Sequence, residues 1–245
     1  MTRYVYLCKD MGENSKRETV FRFKQFEVKN SCAAMKVGTD GVLVGAWTSV
    51  EGAGTILDVG AGTGLIALMI AQRAPGAMIT AIELDGAAAD EARFNVEMSP
   101  WPGRISIVNC DFLEYKPSEK FDLIVSNPPF FGTELKSPDK MRAMARHGDT
   151  LNVGALIRHS AAMMSQRGRL CFISPADRED DILMEAAFSG LNLSRQVKVY
   201  TKQSATMPTR VLWEFTHADA VCEFSELRIN TPLYRELVSP YYLDK

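Results

Sequence analysis

The 245 residues carry 46% hydrophobic and 24% charged side chains, enough apolar material for a buried core, which excludes a chain disordered throughout. The formal net charge of −2 excludes a uniformly basic nucleic-acid-coating protein, and no run of about 18 apolar residues offers a membrane span. The opening stretch MTRYVYLCKDMGENSKRE lacks the long apolar segment and cleavage site of a signal peptide, so a cytoplasmic protein is expected.

Five cysteines (Cys8, Cys32, Cys110, Cys171 and Cys222) are odd in number, scattered and never paired as C-x-x-C. The expectation is reduced, mostly buried thiols, with neither a disulfide framework nor a metal. Residues 1–36 carry eight Lys/Arg against four Asp/Glu, residues 37–125 five against twelve, and residues 126–217 twelve against nine. An acidic middle between basic flanks suits a cationic small ligand held centrally and a polyanion touched at the edges, because local potential guides a ligand more than total charge does. Solvated charged faces are the plain alternative.

In the first fifty residues, Phe21, Phe23 and Phe26 with Val28 predict a strand pair or an extended cover, and Asp40–Trp47 a short apolar helix after Gly38-Thr39. Residues 1–50 thus read as an N-terminal extension and residues 51–245 as the principal domain. From Thr55 onward, short β-branched runs alternate with helical patterns. Strands are expected at Thr55–Val59, Met78–Glu83, Ile105–Asn109, Leu123–Ser126, Arg169–Ser174, Ser194–Tyr200 and Val211–Phe215. Helices are expected near Leu65–Ala74, Ala87–Met98, Val153–Ser165 and Arg178–Phe188. The loop TKQSATMPT between the last two strands has no room for a crossover helix, so that pair should be antiparallel. The expected fold is α/β and Rossmann-like, with a seven-stranded, mostly parallel sheet, an antiparallel C-terminal strand and helices on both faces.

Asp58-Val59-Gly60-Ala61-Gly62-Thr63-Gly64 follows a predicted strand and opens a predicted helix. Glycines there let the backbone approach a ligand, and the helix N-terminus offers free N–H groups to something anionic or strongly polar. Glu83, ending the second strand, is suited to ribose hydroxyls, which makes the ligand a nucleoside. Asp111, after the third strand, suits an adenine amino group, with Phe112 packed on the ring; a loop-capping Asp beside a core Phe is the alternative. Gly62-Thr63-Gly64-Leu65-Ile66-Ala67 also satisfies a loose dinucleotide fingerprint, so the turn alone leaves nicotinamide dinucleotide and S-adenosylmethionine both open.

Leu123-Ile124-Val125-Ser126-Asn127-Pro128-Pro129-Phe130 carries the most specific signal. Consecutive prolines lack N–H donors and fix φ, so the carbonyls here stay outside regular hydrogen bonding. The Asn127 side-chain oxygen and the Pro128 carbonyl become two convergent acceptors for an exocyclic amino group, whose delocalised lone pair makes it a poor nucleophile. Holding both N–H bonds favours the pyramidal, developing-positive nitrogen at a sulfonium methyl. Phe130 can stack on the planar target. None of His147, His159 and His217 is a plausible catalytic base.

With these residues in place, the chain resembles class I methyltransferases with an N-P-P-[FY] signature, which modify adenine N6, cytosine N4 or a protein glutamine amide. Phe21-Arg22-Phe23-Lys24-Gln25-Phe26, Met35-Lys36-Val37-Gly38-Thr39-Asp40-Gly41, Leu43 to Trp47, Ser99-Pro100-Trp101, the Asn127–Phe131 run and Tyr241-Tyr242-Leu243 are similar to the bacterial tRNA1(Val) adenine-N6-methyltransferase family. That resemblance covers nearly the whole chain beyond about residue 18. It implies S-adenosylmethionine as cofactor and the adenosine 3′ of the anticodon in a valine tRNA as substrate. It also implies that Lys36, Thr39 and Asp40 complete a pocket formed by Asp58, Gly60, Gly62, Gly64, Glu83, Asp111 and Phe112 and bordered by Asn127, while Asn127, Pro128, Pro129 and Phe130 hold the flipped-out base. Phe130 stands where Tyr is frequent in the family, which keeps stacking and loses a hydroxyl.

Lys136, Lys140, Arg142, Arg146 and His147, with only Glu134 and Asp139 nearby, follow the Asn-Pro-Pro loop and put positive charge where a base must enter. Single-stranded loop bases are what an RNA-modifying enzyme reaches without melting a duplex. Lys202 and Arg210, and the N-terminal Lys16, Arg17, Arg22 and Lys24, extend the reading to phosphates. A monomer is expected. Protein-glutamine methylation and a non-catalytic tRNA-binding module are the competing readings.

Overall fold

A computed structural model describes residues 20–33, 36–129 and 151–243. Strands β1 (Val20–Arg22) and β2 (Glu27–Lys29) pair antiparallel, closed by a hydrogen bond from Phe23 N–H to the Phe26 carbonyl at 2.9 Å. The closely spaced phenylalanines explain why so short a hairpin is held. Phe23 stacks on Phe26 with centroids 4.7 Å apart and on Tyr242 at 6.0 Å, and Phe26 meets Trp101 edge-on at 5.8 Å. A two-stranded hairpin alone would be marginal in water, and this one holds because its apolar face is covered.

The main sheet contains β3 (Thr55–Val59), β4 (Met78–Glu83), β5 (Ile105–Asn109), β6 (Phe121–Ser126), β7 (Met164–Pro175), β8 (Asn192–Tyr200), β9 (Arg210–Thr216) and β10 (Glu223–Arg228), in the order β10-β8-β9-β7-β6-β3-β4-β5. Strand β9 runs antiparallel to both β7 and β8, as the short loop before it requires, and the other pairings are parallel. All seven expected strands are present, and β10 adds an eighth at the edge. Its sequence gives little sign of a strand because four of its six residues, including Phe224, are exposed. Strand β7 begins five residues earlier than the β-branched run suggests. Its early portion shifts register against β6 at a bulge where Gly168 passes so close that a Cβ would lie 2.8 Å from the Phe121 carbonyl.

Helices α1 (Thr39–Trp47), α2 (Leu65–Arg73), α3 (Gly86–Glu97), α4 (Val153–Met163), α5 (Glu179–Phe188) and α6 (Pro232–Val238) complete the described fold. Helix α6 was not among the expected helices; Thr231 caps it by accepting the Tyr234 N–H, and proline occupies its first turn. The core divides into two clusters. One joins Leu43 and Val44 of α1, Leu68 and Met69 of α2, and Val238 and Tyr241; the other joins Leu156 and Ile157 of α4, Ile182 of α5, Phe172 and Trp213. Alternation along β3 follows this division, since Ile56 lies in the first cluster and Leu57 and Val59 in the second. Of the four cysteines among the described residues only Cys171 is buried; Cys32, Cys110 and Cys222 sit half-buried in connecting segments, so the expectation of mostly buried thiols fails there.

Candidate active site

The chain runs outward from β3 through β4 to β5, then returns to place β6 on the other side of β3. Such a reversal opens a crevice at the carboxyl ends of the two strands flanking it. Val59 and Ser126 are register partners at that end, so Gly60 and Asn127 leave the sheet side by side. The glycine turn and the Asn-Pro-Pro loop, 60 and more residues apart in sequence, therefore meet at one place because of strand order.

On the turn, Gly60, Gly62 and Gly64 have φ of 71°, 55° and 79°, and space stays open where a Cβ would stand at Gly60 and Gly62. Only glycine occupies this left-handed conformation without strain, and the open side leaves the peptide groups accessible. No side chain of the turn caps α2. That role falls to Asp58, whose Oδ2 accepts the Ala67 N–H at 3.0 Å, a negative group at the positive end of the helix. Asp58 is fully buried, and burial first, with the nearby Glu83 charge adding to it, pushes its carboxyl up to about 7 against the lowering by the Ala67 hydrogen bond. Its Oδ1 is buried with no hydrogen-bond partner among the described residues. Glu83 Oε2 accepts the Gly62 N–H at 2.7 Å and Oε1 the Asp85 N–H at 2.9 Å, each oxygen keeping a lone pair.

These features fit S-adenosylmethionine. The orphaned buried Asp58 oxygen calls for a donor such as an ammonium, Glu83 can accept ribose hydroxyls, and the open glycine face admits a polar chain.

Other residues singled out from the sequence have more local partners. Asp111 Oδ1 accepts the Leu113 N–H at 2.8 Å, which caps its own turn. Phe112 is 3% exposed and packs edge-on against His159 at 6.0 Å, within the second core cluster. Lys36 Nζ donates to the Asn30 and Ser31 carbonyls, both at 3.0 Å. Thr39 is exposed at the start of α1. Asp40 Oδ2 and Arg210 Nε form an ion pair at 2.8 Å, joining a residue read as cofactor-binding to one read as RNA-binding. Lys202 is exposed in the β8–β9 loop. Pro128 is buried, Asn127 and Pro129 half-buried, and a Cβ at Gly41 of α1 would stand 3.9 Å from Asn127 Nδ2. Phe130, Phe131, Lys136, Lys140, Arg142, Arg146 and His147 lie outside the described residues, as do Met35, Cys8 and the N-terminal Lys16 and Arg17.

A cleft of about 550 Å³ opens beside Pro129, between Val153 and Ile157 of α4 and Ile182 of α5. Four of its five charged lining residues are already paired, Arg158 with Glu185 at 2.7 Å and Arg178 with Asp181 at 3.0 Å. Sequence reasoning passed over Ser126, whose Oγ donates to the Val59 carbonyl at 2.8 Å; a lone serine at a strand end gives no signal until the strand order is known.

Sheet order, glycine turn and acceptor loop together define a class I methyltransferase. The fold is similar to that of a protein described as a predicted O-methyltransferase from Agrobacterium tumefaciens, with a TM-score of 0.65 at 20% identity over 82% of this chain and 96% of that one. It is also similar to the glycopeptide N-methyltransferase MtfA complexed with S-adenosylmethionine, with a TM-score of 0.53 at 16% identity over 77% and 91%. Residues 37–201 match the methyltransferase small domain family. A tRNA1(Val) (adenine(37)-N6)-methyltransferase of Bacteroides thetaiotaomicron is 46% identical over 91% of this chain and 97% of its own length, and one of Porphyromonas gingivalis 42% identical over 91% and 94%. The chain belongs to the tRNA1(Val) (adenine(37)-N6)-methyltransferase family. It is an enzyme, and its methyl donor is S-adenosylmethionine.

Proposed function

We propose that the protein methylates the exocyclic N6 of adenosine 37 in tRNA1(Val), in the cytoplasm. The observation that carries the reading is the departure of Gly60 and Asn127 from adjacent, hydrogen-bonded strands, which sets a donor site and an amino-group acceptor site next to each other. The relatives named for this activity supply the substrate class.

S-adenosylmethionine supplies a methyl group already activated by positive sulfur. Asp58 holds charge against its ammonium and Glu83 accepts from its ribose, while Lys36, Thr39 and Asp40 bound the same pocket. Asn127 Oδ1 and the Pro128 carbonyl accept the two N–H bonds of the adenine amino group and hold its lone pair toward the methyl. Positioning and electrostatics suffice: as the N–C bond forms the C–S bond breaks to leave S-adenosylhomocysteine, and the cationic nitrogen then loses a proton to water, so no strong base is needed before the methyl moves. Phe130 stacks on the base. Residues 1–50 form the N-terminal extension, and residues 51–245 the catalytic domain.

The test is transfer of labelled methyl to unmodified tRNA1(Val), followed by nucleoside mass analysis. N6-methyladenosine at nucleotide 37 is the expected product. Labelling of a protein glutamine with the tRNA left unmodified would replace this reading with glutamine methylation.

A further inference from the structure

Helix α3 begins just after Glu83, and its inner face carries two buried polar side chains that point away from the crevice, toward the backbone of other segments. Glu91 is 6% and Asn95 2% exposed. They stand four residues apart, one above the other on the helix. The Glu91 carboxylate accepts backbone N–H groups from Ser31 at 2.6 Å, from Cys32 at 3.1 and 3.0 Å, and from Ala33 at 3.1 Å. Asn95 Oδ1 accepts the Lys29 N–H at 2.8 Å, and its Nδ2 donates to the Lys29 carbonyl and to the Thr63 carbonyl, both at 2.9 Å. One side chain therefore pairs with strand β2 as another strand would, and with its remaining hydrogen holds the glycine turn.

Thr63 lies between Gly62 and Gly64, both at positive φ. A peptide flanked by glycines has wide intrinsic freedom, so its orientation depends on the hydrogen bonds made to it. Because the peptide unit is planar and trans, fixing the Thr63 carbonyl also fixes the Gly64 N–H, which donates to the Ala61 carbonyl at 2.8 Å. The turn also rests on this helix directly: a Cβ at Gly64 would stand 3.5 Å from Ala92 Cβ.

We propose that Asn95 is a positioning residue for S-adenosylmethionine: its amide sets the Thr63 peptide of the glycine turn and ties that turn to β2, so that donor affinity depends on a side chain that does not meet the donor. Glu91 fixes residues 31–33 from the same helix without touching the turn, and so serves as the internal comparison.

Donor affinity of the full-length protein is measured by calorimetry with S-adenosylmethionine, alongside amide hydrogen exchange without it. Asn95→Ala should raise the Kd about tenfold, which corresponds to ~1.4 kcal/mol. Its exchange should quicken in peptides covering residues 61–65 and 28–30 more than in α3. Glu91→Gln should lower the thermal midpoint and leave the Kd within about threefold. A Kd unchanged by Asn95→Ala would overturn the proposal, and so would an equal rise with Glu91→Gln, because general loosening of the fold would then account for it. If Asn95→Ala does not fold, Asn95→Asp keeps the acceptor for Lys29 and removes the donor to Thr63; the same rise in Kd is expected, and an unchanged value overturns the idea. Neither measurement uses tRNA, so the outcome is separate from that of the substrate assay.

Discussion

Ser126 Oγ donates a hydrogen bond to the Val59 carbonyl at 2.8 Å, and both residues are fully buried. The bond ties two neighbouring strands at the last position before one becomes the glycine turn and the other the acceptor loop. Ser126→Ala should lower stability by about 1 kcal/mol, the net value of such a bond. Asn127 is the next residue, so kcat should fall beyond what that loss explains, read as kcat against the urea midpoint. A core substitution elsewhere with the same loss of stability and the same fall in kcat would remove the positional explanation.

Under the proposed mechanism, Asn127→Ala removes one of the two acceptors for the amino group. By analogy with removal of a single transition-state partner, kcat should drop roughly 10²–10³-fold. The Kd for S-adenosylmethionine should stay within about twofold, because the side chain acts on the acceptor. Equal losses in kcat and donor affinity would mean that Asn127 belongs to the donor pocket instead.

With the donor's ammonium placed beside Asp58 as proposed, the carboxyl, pushed up to about 7 by burial, should give donor binding a pH dependence. Below that value the group is mostly protonated, and an ammonium beside it favours ionisation, so binding releases a proton. Between pH 6 and 7 the Kd should fall about fivefold as pH rises, a window below the range near 7.7–8.0 where an α-amino group loses its own charge. The stability of the ligand-free protein should move the other way. A raised carboxyl pKa contributes stability that is full below the unfolded value near 3.8 and lost as pH rises through about 7. Asp58→Asn should abolish both slopes; calorimetry and thermal melts across pH 5–7.5 read them.

Much of the candidate site's backbone geometry was legible because local chemistry wrote it. Asp58 to Gly64 demands a tight turn at a helix start, and Asn127-Pro128-Pro129 cannot continue a strand; both stand where their residue types require. The boundaries of β3, β4 and β5 follow from short apolar runs bounded by breakers. Strand β10 was illegible because an exposed edge strand has no apolar face to announce it, and the start of β7 because its bulge at Gly168 depends on the Phe121 carbonyl of another strand. Phe112 reads as a ring-stacking residue by position, yet whether it faces a ligand or His159 depends on where α4 packs. Partnerships such as Asn95 with Thr63, or Arg210 with Asp40 across 170 positions, exist only once the sheet order is fixed.

The Arg210–Asp40 pair makes a specific claim about RNA binding. Arg210 Nε is 2.8 Å from Asp40 Oδ2, with side chains 32% and 25% exposed, so the charge is largely committed within the protein and joins the start of β9 to the first turn of α1. A phosphate would have to compete with that carboxylate. Arg210→Gln should therefore leave the salt dependence of tRNA binding unchanged while weakening the anchorage of α1, and a double-mutant cycle with Asp40→Asn should give a coupling of about 1 kcal/mol in stability. Lys140, Arg142 and Arg146, which follow the acceptor loop in sequence, should behave oppositely. Neutralising all three should make the slope of log K against log salt shallower by about two, at roughly 0.7 per phosphate contact on single strands. A shallower slope for Arg210→Gln would put that arginine on the RNA after all, and an unchanged slope for the triple variant would make its three charges a solvated face.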